Sequence, residues 1–196
     1  MTTIKKNPIE NIKLSFVIPC YKSEKTIDTV VLNLEKTLKN KTDKYEIILI
    51  NDNSPDKTLD HILRLSKENK KIKIINLSKN FGQHAAIMAG LNNLKGEIVT
   101  CLDDDGQTPP NEVFKLINEI NEGYDIVFGE YKEKHHSKLR NIASKLNELM
   151  AQWLIDKPKK IKITSFFSCK NFIVKEIIKY KNPYPYVIGL LLRSSN

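Results

Sequence analysis

Short runs of β-branched and other apolar residues set the outline of this chain. LSFVI (14–18), YEIILI (45–50), IKIINL (72–77) and EIVTCL (97–102) recur along it, and YDIVFG (124–129) adds a fifth run. Between the runs, apolar residues return at three- and four-residue spacing. Ile27, Val30, Val31, Leu34 and Leu38 follow the first, and Leu59, Ile62, Leu63 and Leu65 the second. Continuous Val/Ile-rich strands alternating with helices predict an α/β fold: a mainly parallel sheet with helices on both faces. The 196 residues suit a single domain over 1–196, with a core at 14–129 and an extension at 130–196. No apolar run approaches the ~20 residues that span a bilayer. The segment 1–13 lacks the apolar core of a signal peptide. Cys20, Cys101 and Cys169 show no paired-motif spacing and read as reduced thiols, two of them at strand ends.

In a parallel sheet of this kind, ligands bind beyond the C-terminal ends of the strands. The polar clusters of the sequence fall there: PCYKSE after the first run, NDNSPD after the second, DDDGQ after the fourth. Ser54 is expected to cap the second helix with Pro55 as its first residue, and Pro109-Pro110 to open the fourth, which runs through Glu122. The third helix starts in NFGQHAAIMAGL and ends near Lys95-Gly96. Neither GxGxxG nor GxxxxGK[ST] occurs, which argues against a dinucleotide enzyme and a P-loop ATPase. Carboxylates line this edge instead. Asp103, Asp104 and Asp105 are consecutive, and like charges so close repel. One reading is an acidic surface loop or a cap for the next helix. The other is a cluster facing a phosphorylated ligand through a hard divalent cation. If 103–107 is extended, Asp103, Asp105 and Gln107 point to one side. Two carboxylates and an amide oxygen suit Mg²⁺ or Mn²⁺, while Asp104 points the other way, toward backbone donors. The spacing does not fit an EF-hand.

The net charge of +9 suits nucleic acid, anionic lipid or phosphorylated substrates, and equally a solvated lysine-rich surface. No nucleic-acid reading motif occurs, and aromatic residues do not interleave with the basic run, so nucleic acid is not expected as a partner.

LSFVIPCYKSEKTI, EIILINDNSPDKT, NLSKNFGQHAAIMAGL and GEIVTCLDDDGQTPPNEV together resemble the inverting family 2 glycosyltransferases, which have the Rossmann-like GT-A fold. The NFG…AAI and DDDGQTPP forms resemble the branch that transfers sugars to polyprenyl phosphate, as dolichol-phosphate mannose synthase does. The resemblance runs from about Leu14 to Gly129 and is weaker beyond. It implies a nucleotide site of Pro19, Tyr21, Glu24, Asp52, Ser54, Asp103 and Asp104, with Asp52 on the base. It implies that Asp103 and Asp105, the DxD pair, are the catalytic carboxylates. They would hold Mg²⁺ or Mn²⁺ and the donor diphosphate, with Gln107 as a further metal ligand. The dication would then relieve the repulsion among the aspartates.

The implied reaction moves a sugar from a nucleotide-diphosphate sugar to an acceptor with inversion. A hydroxyl acceptor needs a general base, whereas a phosphate acceptor is already anionic. Relatives that act on hydroxyls carry ED and QxxRW motifs. Neither occurs here, which favours a polyprenyl-phosphate acceptor over a glycan hydroxyl in cell-surface polysaccharide synthesis. For a hydroxyl acceptor, Glu130 would be the first candidate base. The phosphate-contacting arginines of the branch read here as Phe166-Phe167, Asn171 and Tyr131 or Lys132. Lys132, Arg140 and Lys170 are the candidates to replace them as acceptor-phosphate contacts. The chain ends in YVIGLLLRSSN, which reads as the middle of an element. The expectation is a protein truncated at its C-terminus, able to bind donor but transferring slowly, and associated with the cytoplasmic face of a membrane through the missing part.

Three features remain open. The stripe from Leu139 to Leu154, with Trp153, reads as a helix packed on its own core or one lying at a bilayer surface. His135-His136 reads as solvent-facing and His61 as without a role, while His84 falls at a helix start near the substrate. A non-catalytic doubly wound binding module, such as a phospho-acceptor receiver, is the alternative of a different class.

Overall fold

A computed structural model describes residues 9–108, 112–129 and 164–194. After a short 3-10 turn at Ile9–Asn11 come β1 (Leu14–Cys20), α1 (Ile27–Lys39), β2 (Tyr45–Asn51), α2 (Thr58–Glu68), β3 (Ile72–Asn76), α3 (Gln83–Leu91) and β4 (Ile98–Cys101). The chain continues through α4 (Val113–Asn121), β5 (Ile126–Phe128), β6 (Phe167–Lys170), α5 (Asn171–Ile177) and α6 (Val187–Ser194). The strands form one sheet in the order β3-β2-β1-β4-β6-β5. β1 pairs in parallel with β2 and β4, and β2 with β3. β6 runs antiparallel to both β4 and β5. The expected α/β architecture and mainly parallel sheet are therefore present.

The two-residue period of the strands divides the core into two layers. Phe16 and Ile18 of β1, with Ile47 and Leu49 of β2, meet α1, α2 and α4 on one face. Val17, Ile48 and Ile50 meet α3, α5 and α6 on the other. Both faces of β1 and β2 are buried, which is why those strands read as unbroken apolar runs. α3 packs so closely on the sheet that a Cβ on Gly90 would lie 2.5 Å from Val17 Cγ1. A larger residue there would have to push aside the Val17 and Ile50 side chains.

Several expectations change. α2 begins at Thr58 rather than Pro55. Ser54 accepts the Lys22 N–H instead of capping the helix, and Asp56 Oδ1 accepts both the N–H (3.1 Å) and the hydroxyl (2.6 Å) of Thr58. α3 ends at Leu91. β6 is a strand that the sequence did not reveal. It is short, and its central Ser168 is polar yet fully buried, because it pairs across the ladder with Thr100 at 2.7 Å between hydroxyls. Pro109-Pro110 and residues 130–163 lie outside the described residues. With them lie Glu130, Lys132, His135-His136, Arg140 and the stripe with Trp153.

Candidate functional site

The loops after β1, β2 and β4 converge at the C-terminal edge of the parallel strands, joined by the segment that leads into α3. Their meeting point is a cavity of about 280 Å³ lined by Pro19, Tyr21, Asp52, Asn80, Gln83 and Asp104 among others. Four of these, Pro19, Tyr21, Asp52 and Asp104, belong to the set expected from the sequence. A larger cavity of about 530 Å³ lies elsewhere, between α1, α2 and the starts of β2 and β3, and includes none of these residues.

Each aspartate has a distinct role in the geometry. Asp52 is 3% exposed, and its two oxygens accept the backbone N–H groups of Phe81 and Gly82, each at 2.8 Å. It therefore fixes the segment that opens α3 against the end of β2. Asp104 accepts the Tyr21 N–H at 2.9 Å and so ties the β4 loop to the β1 loop. Burial pushes its pKa above the ordinary carboxylate value, with a smaller push from Asp103, against the pull of the Tyr21 amide. Asp103 diverges from it. Its Oδ1 accepts an N–H of the Gln83 amide (2.9 Å) and its Oδ2 accepts the Ser165 hydroxyl (2.6 Å).

Glu24 and Ser54 do not line the cavity. They brace the loops behind it: Glu24 Oε2 accepts the Lys57 N–H at 3.0 Å, and Ser54 Oγ accepts the Lys22 N–H at 2.5 Å. Asp105 and Gln107 are exposed. The segment 103–107 is not extended. It bends through Gly106 at φ +74°, a region that favours glycine, and Asp105 Oδ1 accepts the Gln107 N–H at 2.8 Å. The strand-like alternation of Asp103, Asp105 and Gln107 thus gives way to a turn. Among the described residues, no cluster of three or more His, Cys, Asp or Glu side chains forms a metal cage. The donors present, two carboxylates and an amide on an open turn, are hard oxygen ligands of the type that suits Mg²⁺ or Mn²⁺.

Lys170 is a correction. β6 runs antiparallel, so Lys170 pairs opposite Ile98, at the start of β4 and at the other edge of the sheet. There its Nζ meets Asp125 Oδ1 (2.7 Å) and the Gly123 carbonyl (2.9 Å). Asn171, at the same edge, donates to the Gly96 carbonyl. The residues that the antiparallel strand does bring to the site are Thr164 and Ser165, just before it. Neither was expected, because the strand that delivers them was not visible in the sequence. Asn80 and Gln83 belong to the NFGQ stretch, whose sequence alone assigns them no role.

All three thiols are buried and free. Burial raises their pKa values, that of Cys169 to about 12, which makes them poor nucleophiles. None of the described helices is long and apolar enough to cross a membrane.

The model of the family described as Glycosyl transferase family 2 matches residues 15–179. Among curated proteins, the chain is similar to the undecaprenyl-phosphate 4-deoxy-4-formamido-L-arabinose transferase of Photorhabdus laumondii. The two are 39% identical over 143 residues, 70% of this chain and 43% of that protein. The chain thus spans less than half the length of this curated relative. Among solved structures, S. aureus TarS 1–349 superposes with a TM-score of 0.63 at 16% identity, covering 94% of this chain and 55% of that one. Glucosyl-3-phosphoglycerate synthase from Mycobacterium tuberculosis, in complex with Mn²⁺, UDP and glucosyl-3-phosphoglycerate, gives 0.66 at 16% identity, covering 85% and 60%. The shared fold is GT-A.

Proposed function

Because this chain belongs to glycosyl transferase family 2, we propose that it transfers a sugar from a nucleotide-diphosphate sugar to a polyprenyl phosphate. One observation carries the reading. Three loops from separate strands and the start of α3 meet around one cavity at the C-terminal edge, with Asp52 and Asp104 in its wall and Asp103 bonded to Gln83 beside it. The phosphate acceptor is supported by the undecaprenyl-phosphate transferase named above and by the lack of a hydroxyl-activating motif.

In this reading Pro19, Tyr21 and Asp52 surround the nucleotide, and Asp52 keeps the Phe81–Gly82 backbone in place beneath it. Asp103 and Asp105 are the ligands of a divalent cation, Mg²⁺ or Mn²⁺, with Gln107 as a further ligand. When bound, the cation would stabilise the charge that grows on the leaving diphosphate. Gln83 and Ser165 hold the Asp103 carboxylate so that it does not reorganise during transfer. The bond from the anomeric carbon to the diphosphate oxygen breaks, and the nucleoside diphosphate leaves with the bonding electrons. An acceptor phosphate oxygen bonds to the opposite face of that carbon. No proton has to move, because the acceptor is already anionic. Lys132 and Arg140 are proposed as acceptor contacts, and the cytoplasmic face of a membrane as the place of reaction.

Calorimetric titration with nucleotide sugars, with and without Mn²⁺, tests the donor half. Affinity is expected only with the metal. Transfer to a polyprenyl phosphate in detergent tests the acceptor half. Rapid transfer to a soluble glycan hydroxyl with no lipid present would overturn the lipid-phosphate part alone.

A further inference from the structure

A second cavity, of about 250 Å³, adjoins the first. Its wall includes Gln83, His84, Thr164, Ser165 and Tyr186. Gln83 lines both cavities, and Asp103 stands at their junction, bonded to Gln83 on one side and to Ser165 on the other. Among the described residues lining this second cavity, no side chain carries a full charge at neutral pH. A phosphate would need cationic or clustered backbone donors there, and the carboxylate of Asp103 next door disfavours an anion. The compact volume does not suit an extended isoprenoid chain. Hydroxyl, amide, imidazole and aromatic groups around a small space suit a neutral polyhydroxylated ring.

His84 has an unusual setting. Its Nδ1 is buried with no hydrogen-bond partner, and the Tyr186 ring stands edge-on to it at 5.2 Å between centroids. Burial holds the imidazole pKa below its ordinary value. A bare buried acceptor costs less than an orphaned N–H, so hydrogen bonding assigns the single proton to Nε2. That N–H has no partner among the described side chains, which leaves His84 as a neutral donor in the cavity wall. Thr164 and Ser165 are already committed, Thr164 to the Gly129 and Phe166 carbonyls and Ser165 to Asp103. Tyr186 is 44% exposed and offers an aromatic surface beside the imidazole.

We propose that this cavity holds the sugar ring of the donor, and that His84 is a specificity-determining residue that donates from Nε2 to a substituent of that ring. The assignment rests on the function proposed above. The nucleotide then lies on one side of Asp103 and the sugar on the other, which puts the bond to be broken at the carboxylate between the two cavities.

Calorimetry in Mn²⁺ separates this assignment from the function itself. The probes are UDP, UDP-glucose, UDP-GlcNAc, GDP, GDP-mannose and farnesyl phosphate, titrated into the wild type, His84→Phe and His84→Gln. Thermal melts check that each variant folds. At least one nucleotide sugar should bind the wild type more tightly than its parent diphosphate. His84→Phe, which keeps a ring but removes the donor, should lose about fivefold of that advantage, the size of one net hydrogen bond. Binding of the parent diphosphate should not change, and His84→Gln, which restores a donor, should recover most of the loss. Three outcomes overturn the assignment: no sugar adds affinity in the wild type, His84→Phe weakens diphosphate and nucleotide sugar equally, or it weakens only farnesyl phosphate. Failure of every nucleotide to bind the wild type would instead remove the proposed function, and this assignment with it.

Discussion

The two edges of the sheet hold carboxylates in opposite conditions, Glu46 buried and Asp104 half-buried. At the N-terminal edge, Glu46 is 4% exposed and fully engaged. Its Oε1 accepts the Ser15 hydroxyl (2.7 Å) and the Lys95 N–H (2.5 Å), and its Oε2 accepts Lys73 Nζ (2.6 Å). The Gly96 N–H in turn donates to Ser15 Oγ at 2.8 Å, so β1, β2, β3 and the approach to β4 share one network. Burial raises the Glu46 pKa, but the bonds from Lys73, Ser15 and Lys95 outweigh it and hold the pKa below the ordinary value. At the C-terminal edge, Asp104 has the Tyr21 amide and, among the described residues, no cationic partner, and burial wins. One edge satisfies its carboxylate from within the chain. The other keeps a carboxylate at a cost, a pattern common at functional sites.

The sharpest way to break this comparison is Asp105→Ala. If the ligand edge depends on a cation, nucleoside diphosphate affinity in Mn²⁺ should fall about 100-fold, as loss of a metal-site carboxylate implies. Calorimetry that gives unchanged affinity would falsify the role of Asp105 as a ligand. Next is Glu46→Gln at the closed edge. It leaves the Lys73 ammonium and one backbone or hydroxyl donor poorly paired, and unfolding free energy should fall by about 2 kcal/mol. Lys73 is partly exposed, which keeps the figure below that for a fully buried pair. The pH dependence follows from the lowered pKa. The Glu46 contribution is complete above the unfolded value of about 4.3 and is lost as pH falls through the lower folded value. In Glu46→Gln, that acid-side loss should disappear from urea midpoints measured between pH 3 and 6.

The smallest effect is expected from Asp104→Asn. The raised pKa works in the other sense, because ionised Asp104 disfavours the fold at neutral pH. Asparagine can still accept the Tyr21 N–H, so stability should hold or rise by up to about 1 kcal/mol. Nucleotide binding in Mn²⁺ should weaken. A variant as destabilised as Glu46→Gln would show that the two edges do not differ in the way described.

Legibility in the sequence followed burial. β1 and β2 are plain because both faces are covered, and the loops that follow them point to the edge where the cavity lies. The four cavity residues Pro19, Tyr21, Asp52 and Asp104 came from those loops. What stayed hidden depends on pairing at long range. Ser165 meets Asp103 from 62 positions away, and only the direction of β6 decides that Ser165 reaches the site while Lys170 does not. The bend at Gly106 also overrode the extended reading of 103–107, since a glycine at positive φ reverses the alternation on which that reading stood.

The junction between β5 and β6 has a further consequence. The Gly129 N–H donates to the Phe166 carbonyl (2.8 Å), and the Thr164 hydroxyl donates to the Gly129 carbonyl (2.7 Å). Residues 129 and 164, 35 positions apart, are therefore clasped side by side. Closing a longer or shorter excursion between fastened ends changes the entropy only slowly with length. A change in the number of residues between the two clasped ends is thus expected to cost the sheet little.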